Sequence, residues 1–181
     1  MKLIDKGVLK PSDPIFQEGF SLNTLQVLEP YRPSSLRSRK PKTMPMTKRE
    51  IAQFLTEPNV AVVAVTAPDG SPHAVPTWFE YRRGEAFFIT EAAAFKCKCL
   101  QHDPRVTLCI DMRKPPNYKA VILKGRATME EKAADAMLER MAVAYMGKRA
   151  GREYAAEFKS QPVVVVRFKP ERVISWDYSK D

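Results

Sequence analysis

Hydrophobic and polar positions alternate in the first half of the chain, in three consecutive runs rich in β-branched and aromatic residues. The first run, AVVAVTA, leads to Asp69-Gly70, a pair typical of tight β-hairpin turns. The second, PHAVPTWFEY, leads to Arg83-Gly84, and the third is EAFFIT. The pattern predicts three antiparallel strands. Because Pro76 cannot donate a ladder hydrogen bond, we expect a sheet edge, a bulge or a barrel corner at this residue.

Three segments carry the signals of helices. In MTKREIAQFL, Thr47 and Glu50 have the spacing of a capping box, which predicts the start of a helix. The segment EAAAFKCKCLQH predicts a short helix that ends at Asp103-Pro104. The longest predicted helix is EEKAADAMLERMAVAYMGKRAG, in which apolar residues recur at helical spacing and Gly147 lies near the end.

Three more runs complete the strand pattern. RVTLCIDM and KAVILKGRATM predict two strands linked by RKPPNY, and PVVVVRFKPERVISWDY predicts either a strand pair or one bent strand. Strands and helices do not alternate regularly, which argues against a doubly wound parallel sheet. We therefore expect a mainly β protein of the α+β class, with a six-stranded antiparallel barrel flanked by helices.

Length and proline distribution divide the chain into two parts. A chain of 181 residues has the usual size of one domain. Residues 1–45 contain six of the fifteen prolines and the basic run RPSSLRSRKPK, without a lasting apolar period. We expect a basic, extended N-terminal arm over residues 1–45 and a folded domain over residues 46–181. The arm could be a solvated tail, or it could wrap a partner subunit.

The net charge of +9 belongs mostly to the N-terminal segment. Residues 1–49 carry ten Lys or Arg against four Asp or Glu, whereas the other 132 residues carry twenty against seventeen. This distribution gives little support to nucleic-acid binding by the folded domain. The run RSRKPK leaves open a contact between the arm and a nucleic acid or an anionic surface.

Neither an export signal nor a membrane span is expected. The longest apolar run, Val60 to Val65, is far too short to cross a bilayer, and the first residues lack a sustained apolar segment. Three cysteines, an odd number, argue against a disulfide framework, so we expect a cytoplasmic protein. We expect no metal site, because the chain has only two histidines and because Cys97 and Cys99 face apart on a helix.

The order of several motifs resembles a known family. The succession DGSPHAVPTWF, a Gly turn, FFIT, FKCKCLQHDPRVTLCI and GRA is similar to the pyridoxamine 5′-phosphate oxidase-like split-barrel family of flavin and deazaflavin binders. The similarity runs from about Met46 to Tyr178. Within that family, HDPRVTL and RVISWDYSK are most similar to the branch that uses the deazaflavin coenzyme F420. The resemblance implies a split β-barrel that forms a homodimer, with two cofactor sites at the subunit interface.

The same resemblance implies a set of cofactor contacts. Thr90 matches the residue whose hydroxyl binds the cofactor phosphate, and Lys96 matches the helix lysine that pairs with that phosphate. The segment that matches the stretch along the ring consists of Val75, Pro76, Thr77 and Trp78. The remaining candidate contacts are Ile89, Phe95, Lys98 and Arg113, with Trp176 from either subunit. For Lys98 and Arg113, the expected targets are acidic groups of the cofactor.

Three departures from the family pattern narrow the expected function. Val75, Glu80 and Phe95 stand where the pyridoxamine phosphate oxidases carry cations. Oxidation of pyridoxamine phosphate is therefore not expected, and the deazaflavin F420 suits the chain better than FMN. We expect an oxidoreductase that passes a hydride from F420 to a small conjugated or heteroaromatic acceptor. Two alternatives are an FMN-dependent oxidoreductase with the same pocket and a non-catalytic protein that binds flavin, deazaflavin or haem.

No catalytic side chain is predicted for this reaction. Hydride transfer from a flavin-type ring needs no protein nucleophile, because the protein supplies positioning, electrostatics and exclusion of water.

Overall fold

The computed structural model describes residues 44–114, 117–131, 134–159 and 161–180. Residues 1–43 of the predicted arm lie outside the described residues. The helices are α1 (Lys48–Phe54), α2 (Phe95–His102), α3 (Asp135–Met146) and α4 (Lys148–Glu157), with a short 3-10 helix at Tyr178–Lys180. The strands are β1 (Ala61–Thr66), β2 (Pro72–Thr77), β3 (Glu80–Arg82), β4 (Glu85–Glu91), β5 (Arg105–Lys114), β6 (Asn117–Arg126), β7 (Thr128–Glu131), β8 (Val163–Phe168) and β9 (Pro170–Asp177).

The strands form two antiparallel sheets. The five-stranded sheet has the order β2-β1-β5-β6-β9, and the four-stranded sheet has the order β3-β4-β8-β7. The predicted fold class, an α+β split barrel of antiparallel strands with helices outside it, is confirmed. Pro76 lies on β2, an edge strand of its sheet, where a missing N–H donor costs no ladder hydrogen bond.

Six predicted strand runs become nine strands, because three of the runs pass from one sheet to the other. The run PHAVPTWFEY breaks at Trp78-Phe79 between β2 and β3, and KAVILKGRATM breaks at Ala127 between β6 and β7. The last run breaks at Lys169 between β8 and β9. The predicted count of six was wrong for this reason. At Lys169 the run RFKPER agrees with the strand pair that the sequence left open, whereas the bends at Trp78-Phe79 and Ala127 lie inside runs predicted as single strands.

One barrel corner requires glycine. The register of β6 against β9 shifts at Lys124-Gly125, beside the bend at Lys169. A Cβ at Gly125 would lie 2.8 Å from the carbonyl oxygen of Lys169 and 2.9 Å from the ring of Phe168. The crossing strands therefore approach more closely than any side chain at this position would permit.

The helices agree with the predictions in part. The capping box of α1 is confirmed, since the Thr47 hydroxyl accepts from the Glu50 N–H at 3.3 Å and the Glu50 carboxylate accepts from the Thr47 N–H at 2.6 Å. Helix α2 begins at Phe95, four residues later than predicted, because β4 extends to Glu91. The long predicted helix is in fact β7 followed by two helices, which are separated at Gly147 with φ of 84°.

The core lies between the two sheets. Fully buried side chains come from both sheets, namely Val63, Leu108, Ile110, Val121 and Leu123 from the first and Phe88 and Val166 from the second. The other face of the four-stranded sheet packs through Phe87 and Val165 on Ala134 and Met137, at the start of α3. This packing places the α3–α4 hairpin beside the end of β4.

The segment before α1 packs along the last strand. The backbone carbonyl of Met44 accepts from the Asp177 N–H at 3.0 Å, and the Met46 N–H donates to the Ser175 hydroxyl at 3.2 Å. Asp177 is buried and pairs with Lys119 at 3.1 Å. Within the described ranges, no helix is both long enough and apolar enough to cross a membrane.

Candidate cofactor-binding site

A groove of about 620 Å³ opens where β2, β4, α2 and the α3–α4 hairpin meet. Strands and the residues next to them contribute Val60, Pro76, Thr77, Trp78, Ile89, Thr90, Glu91 and Val163, and α2 with its N-cap contributes Ala94 and Lys96. The α3–α4 hairpin contributes Leu138, Met141, Tyr154 and Phe158, the last of which is the C-cap of α4. The groove thus brings together six of the residues predicted from the sequence: Pro76, Thr77, Trp78, Ile89, Thr90 and Lys96.

Thr90 and Lys96 meet in this groove. Thr90 lies near the end of β4 and is 8% exposed, and Lys96 is the second residue of α2. The Nζ atom of Lys96 donates to the Oγ1 atom of Thr90 at 2.8 Å. Since the Thr90 oxygen accepts this bond, its own hydrogen stays available to a bound group. One ammonium and one hydroxyl therefore converge on the same point of the groove.

The start of α2 adds backbone donors to this point. Its N-cap, Ala94, lines the groove and offers no side-chain acceptor. The Cys97 N–H donates to the Ala94 carbonyl at 2.8 Å, so the N–H groups of Phe95 and Lys96 are those without an acceptor in the helix, at the positive end of its dipole. Together with Lys96 and Thr90, they make a donor set whose chemistry suits a phosphate or another compact anion.

The segment along β2 divides between the groove and the core. Pro76, Thr77 and Trp78 line the groove, whereas the Val75 side chain packs against the core. Val75 lies opposite the fully buried Val63 of β1, and its side chain packs against the core between the sheets. A side-chain contact between Val75 and a ligand is therefore not supported within one chain.

Trp78 is held by aromatic contacts from the hairpin. Its ring stacks on Tyr145, with centroids 5.0 Å apart and an interplanar angle of 14°, and it lies 5.3 Å from the ring of Tyr154. The Tyr145 hydroxyl accepts from the Phe79 N–H at 3.1 Å and lies 2.9 Å from the Asn59 carbonyl oxygen, to which it can donate. Burial raises the pKa of Tyr145, so this hydroxyl stays protonated at neutral pH. Trp78 thus packs against protein on one face while lining the groove.

Four predicted contacts lie outside the groove in a single chain. Phe95 is 49% exposed and makes an edge contact with His73, and Lys98 is exposed on α2. Arg113 is exposed and forms an ion pair with Asp111. Trp176 lies on β9, at the opposite edge of the five-stranded sheet from β2. Whether a second subunit brings Trp176 to the groove stays a prediction.

The hairpin residues of the groove were missed from the sequence. Leu138 and Met141 are three apart on α3, and Tyr154 and Phe158 are four apart on α4, so each pair shares one helix face. The predicted helix ended at residue 151, and the second pair therefore fell into a segment without an assigned element. Continuation of the helical period to Phe158 was the signal that could have found them.

The cysteines are poor nucleophiles. Burial raises the pKa of Cys97, although the charge of Lys96 acts in the opposite direction, and burial also raises the pKa of Cys99. Burial, followed by the charge of Asp111, raises the pKa of Cys109. All three thiols are therefore protonated at neutral pH. Over the described ranges, no three His, Cys, Asp or Glu side chains come together as a metal site.

Comparison with known proteins identifies the family. A family model described as pyridoxamine 5′-phosphate oxidase matches residues 47–177, from the N-cap of α1 to the end of β9. The chain belongs to the pyridoxamine 5′-phosphate oxidase family. No curated protein sequence matches the chain.

Several solved structures are similar in fold to this chain. The conserved hypothetical protein Rv2991 from Mycobacterium tuberculosis is 26% identical, with a TM-score of 0.63 over 77% of this chain and 89% of that one. An F420 reductase is 17% identical (TM-score 0.54, 67% and 94% covered). An FAD-binding protein from Mesorhizobium loti is 20% identical (TM-score 0.55, 75% and 98% covered). The last two show a common fold alone.

Three residues, Val75, Glu80 and Phe95, stand where the family pattern has cations, and each of them contacts other parts of the protein. Val75 packs on the core, and Phe95 contacts His73. The Glu80 carboxylate accepts from Arg140 at 3.2 Å. Lys96 is thus the one basic side chain among the described residues that line the groove.

Proposed function

We propose that this protein is an oxidoreductase that binds the deazaflavin coenzyme F420 in the groove and passes a hydride to a small conjugated or heteroaromatic acceptor. The observation that carries the proposal is the 2.8 Å contact between Lys96 and Thr90 at the start of α2. Membership of the family and the fold shared with an F420 reductase support it. The phosphate of FMN is a terminal monoester with up to two negative charges, whereas that of F420 is a diester with one, so a groove with one basic side chain among its described lining residues favours the deazaflavin.

Lys96 and Thr90 would hold the cofactor phosphate. The ammonium group supplies a charge-assisted hydrogen bond, and the Thr90 hydrogen, which is not used toward Lys96, supplies a second donor. Both side chains come from the junction of β4 and α2, so the packed ends of two elements fix their geometry. A preorganised donor pair of this kind loses little entropy when the ligand binds.

The remaining walls would position the ring and exclude water. Pro76, Thr77 and Trp78 form one side of the groove, and Leu138 and Met141 form another. When bound, the reduced deazaflavin would supply the hydride, and the acceptor would take one proton from water. Apolar walls with a few polar groups suit this task, since hydride transfer depends on close approach of the two reactants in a site without bulk water.

A homodimer would complete the groove. On the outer face of the five-stranded sheet, one row of residues in register runs across all five strands: Pro76, Val62, Cys109, Ile122 and Ile174. Val62 is 37% exposed, and the row contains no charged side chain. An uncharged row across an open sheet face, half-buried or exposed along its length, is suited to contact with a second copy of the chain. Because Pro76 also lines the groove, a second copy on this face would border the cofactor.

The test of the enzymatic proposal is reoxidation of the reduced cofactor. Protein is mixed with reduced F420, or with reduced FMN, and an uncharged quinone is added as acceptor under exclusion of oxygen. We expect protein-dependent oxidation of reduced F420 that is saturable in quinone. Tight binding of F420 without oxidation of its reduced form by a range of acceptors would instead make the protein a carrier. Protein-dependent oxidation of reduced FMN, and not of reduced F420, would make FMN the cofactor.

A further inference from the structure

The groove has two ends of different chemistry. The end at α2 carries the polar and charged side chains Thr90, Glu91 and Lys96. The end at the α3–α4 hairpin carries Leu138, Met141, Tyr154 and Phe158. A cofactor with an anionic group and a flat ring would place the anion at the α2 end and the ring along β2. The α3–α4 hairpin would then face the ring from the other side of the groove.

Two aromatic rings form the hairpin wall. Tyr154 and Phe158 are one helical turn apart on α4, and their rings stack with centroids 4.6 Å apart at an angle of 30°. Tyr154 also contacts Trp78, which lies on the β2 side of the groove. The three rings therefore form one contiguous aromatic cluster at the groove, against which a flat molecule can pack.

The two tyrosines of the hairpin differ in what their hydroxyl groups do. The Tyr145 hydroxyl is bonded to the backbone of Phe79 and faces the Asn59 carbonyl. The contacts recorded for Tyr154 are those of its ring, and among the described residues its hydroxyl has no hydrogen-bond partner. Tyr154 as a whole is half-buried at the wall of the groove, and its hydroxyl oxygen is open to solvent and therefore available to a ligand.

We propose that Tyr154 and Phe158, whose rings adjoin Trp78 of the β2 side, form the acceptor-binding wall and select a flat, uncharged, conjugated acceptor that carries one hydrogen-bond-accepting oxygen. This inference rests on the proposed function, which places the cofactor at the polar end and along β2. Hydride transfer requires the acceptor to lie on the ring face within about 3–3.5 Å. The wall opposite β2 is where such a molecule would stack, and the Tyr154 hydroxyl would donate to its oxygen.

The charges of the groove exclude an anionic acceptor. Of the described lining residues, Lys96 alone is basic, and its ammonium is engaged at the phosphate end. Glu91 adds a negative charge near that end. A carboxylate or sulfonate on the acceptor would be desolvated at the wall without a cation to pair with. The wall binds and orients the acceptor and takes no part in the transfer of electrons.

Equilibrium binding of two matched quinones to the protein tests the wall. The probes are 2-methyl-1,4-naphthoquinone, which is uncharged, and 1,4-naphthoquinone-2-sulfonate, which is equally flat and anionic. Their dissociation constants are measured with the protein alone and with oxidised F420 bound, so that no turnover occurs. We expect the uncharged quinone to bind the wild-type protein more tightly than the sulfonate does.

Variants assign the binding to the wall. Phe158→Ala should raise the Kd of the uncharged quinone by about tenfold. Tyr154→Phe, which keeps the ring, should raise it by about threefold or more. In both variants the Kd for F420 should stay within about twofold of the wild-type value, because the hairpin wall does not contact the cofactor. Tyr145→Phe is the contrast: it should lower the thermal midpoint, because its hydroxyl is used within the fold, and leave the quinone Kd unchanged.

Three outcomes would overturn the inference. An unchanged quinone Kd in both Tyr154→Phe and Phe158→Ala would show that the acceptor binds elsewhere. Equal loss of F420 binding in Phe158→Ala would make the wall part of the cofactor site, and the proposed function would stand. Tighter binding of the sulfonate would contradict the selection against anions. Failure of the wild-type protein to bind F420 or FMN would remove the proposed function instead, and the quinone titration of the protein alone would still test the wall.

Discussion

Lys96 and Thr90 are six residues apart, yet they belong to different elements and meet only because α2 turns back over the end of β4. A hydrogen bond to a charged group contributes about 1.5–3 kcal/mol. Lys96→Ala should therefore weaken F420 binding by about ten- to a hundredfold or more, as measured by titration followed by ligand fluorescence.

Two lysine variants serve as references for that prediction. Lys48→Ala removes an exposed charge on α1 and should leave the affinity unchanged. Lys98→Ala tests the neighbouring lysine of α2, which is exposed and outside the groove of a single chain. If Lys98→Ala weakens binding and Lys96→Ala does not, the phosphate binds at Lys98 and the Lys96–Thr90 contact is structural.

At the residue scale, the sequence predicts two residues that lie at the polar end of the groove, Thr90 and Lys96, and misses the opposite wall. Thr90 and Lys96 follow a recognisable motif, whereas Tyr154 and Phe158 enter the groove through packing between the α3–α4 hairpin and the strands. Val75 belongs to the motif along β2, but its side chain packs against the core, and only the folded structure shows this.

The α3–α4 hairpin depends on close approach at Gly151. A Cβ there would lie 2.5 Å from backbone atoms of Ala142 and Val143. Gly→Ala in a helix ordinarily stabilises by about 1 kcal/mol, but the steric overlap should reverse the sign. We expect Gly151→Ala to lower the free energy of unfolding by about 1–3 kcal/mol in urea titrations.

An exposed position on the same helix provides the reference for Gly151. Ala156→Gly, also on α4, should cost only the intrinsic helix propensity of about 1 kcal/mol. An increase in stability of Gly151→Ala would mean that the two helices do not pack at this distance. In that case Tyr154 and Phe158 would not be held at the groove as described.

Helix α1 should make the protein sensitive to acid. Hydrogen bonds from Lys180 and then from Thr47 lower the pKa of Glu50 from 4.5 to about 2. A carboxyl group whose pKa is depressed in the folded state contributes stability above its unfolded pKa, and this contribution is lost as the pH falls through the folded pKa. Between pH 4.5 and pH 2, the unfolding free energy should therefore fall more steeply in the wild type than in Glu50→Gln. Parallel pH profiles of the two proteins would contradict the assignment.

At the element scale, local sequence signals predict the strand runs and helix α1. They do not predict the points at which the chain passes from one sheet to the other. A capping box and a turn pair act over three or four residues, so they can be identified in the sequence. The bends at Ala127 and Lys169 depend on the approach of β6 to the β8–β9 junction, which is a contact between distant segments. The same holds for the separation of α3 from α4.

The apolar row on the five-stranded sheet predicts the oligomeric state. We expect the wild-type chain, of 20.6 kDa, to show twice that mass in solution by light scattering. Ile122→Glu places a charge within the apolar row, on β6. The variant should be a monomer, because an unpaired carboxylate would be buried at the interface. Ala52→Glu, on the exposed side of α1, should stay dimeric. A wild-type monomer at micromolar concentration would mean that a second copy does not cover this face.

At the scale of the whole molecule, the central proposal is that the groove at the β4–α2 junction holds a phosphate-bearing deazaflavin. The most direct measurement is a titration of the purified wild-type protein with F420 and, in parallel, with FMN, followed by ligand fluorescence. We expect the protein to bind F420 saturably and to bind FMN more weakly. Binding of neither cofactor would leave the fold standing and contradict the assignment of the groove.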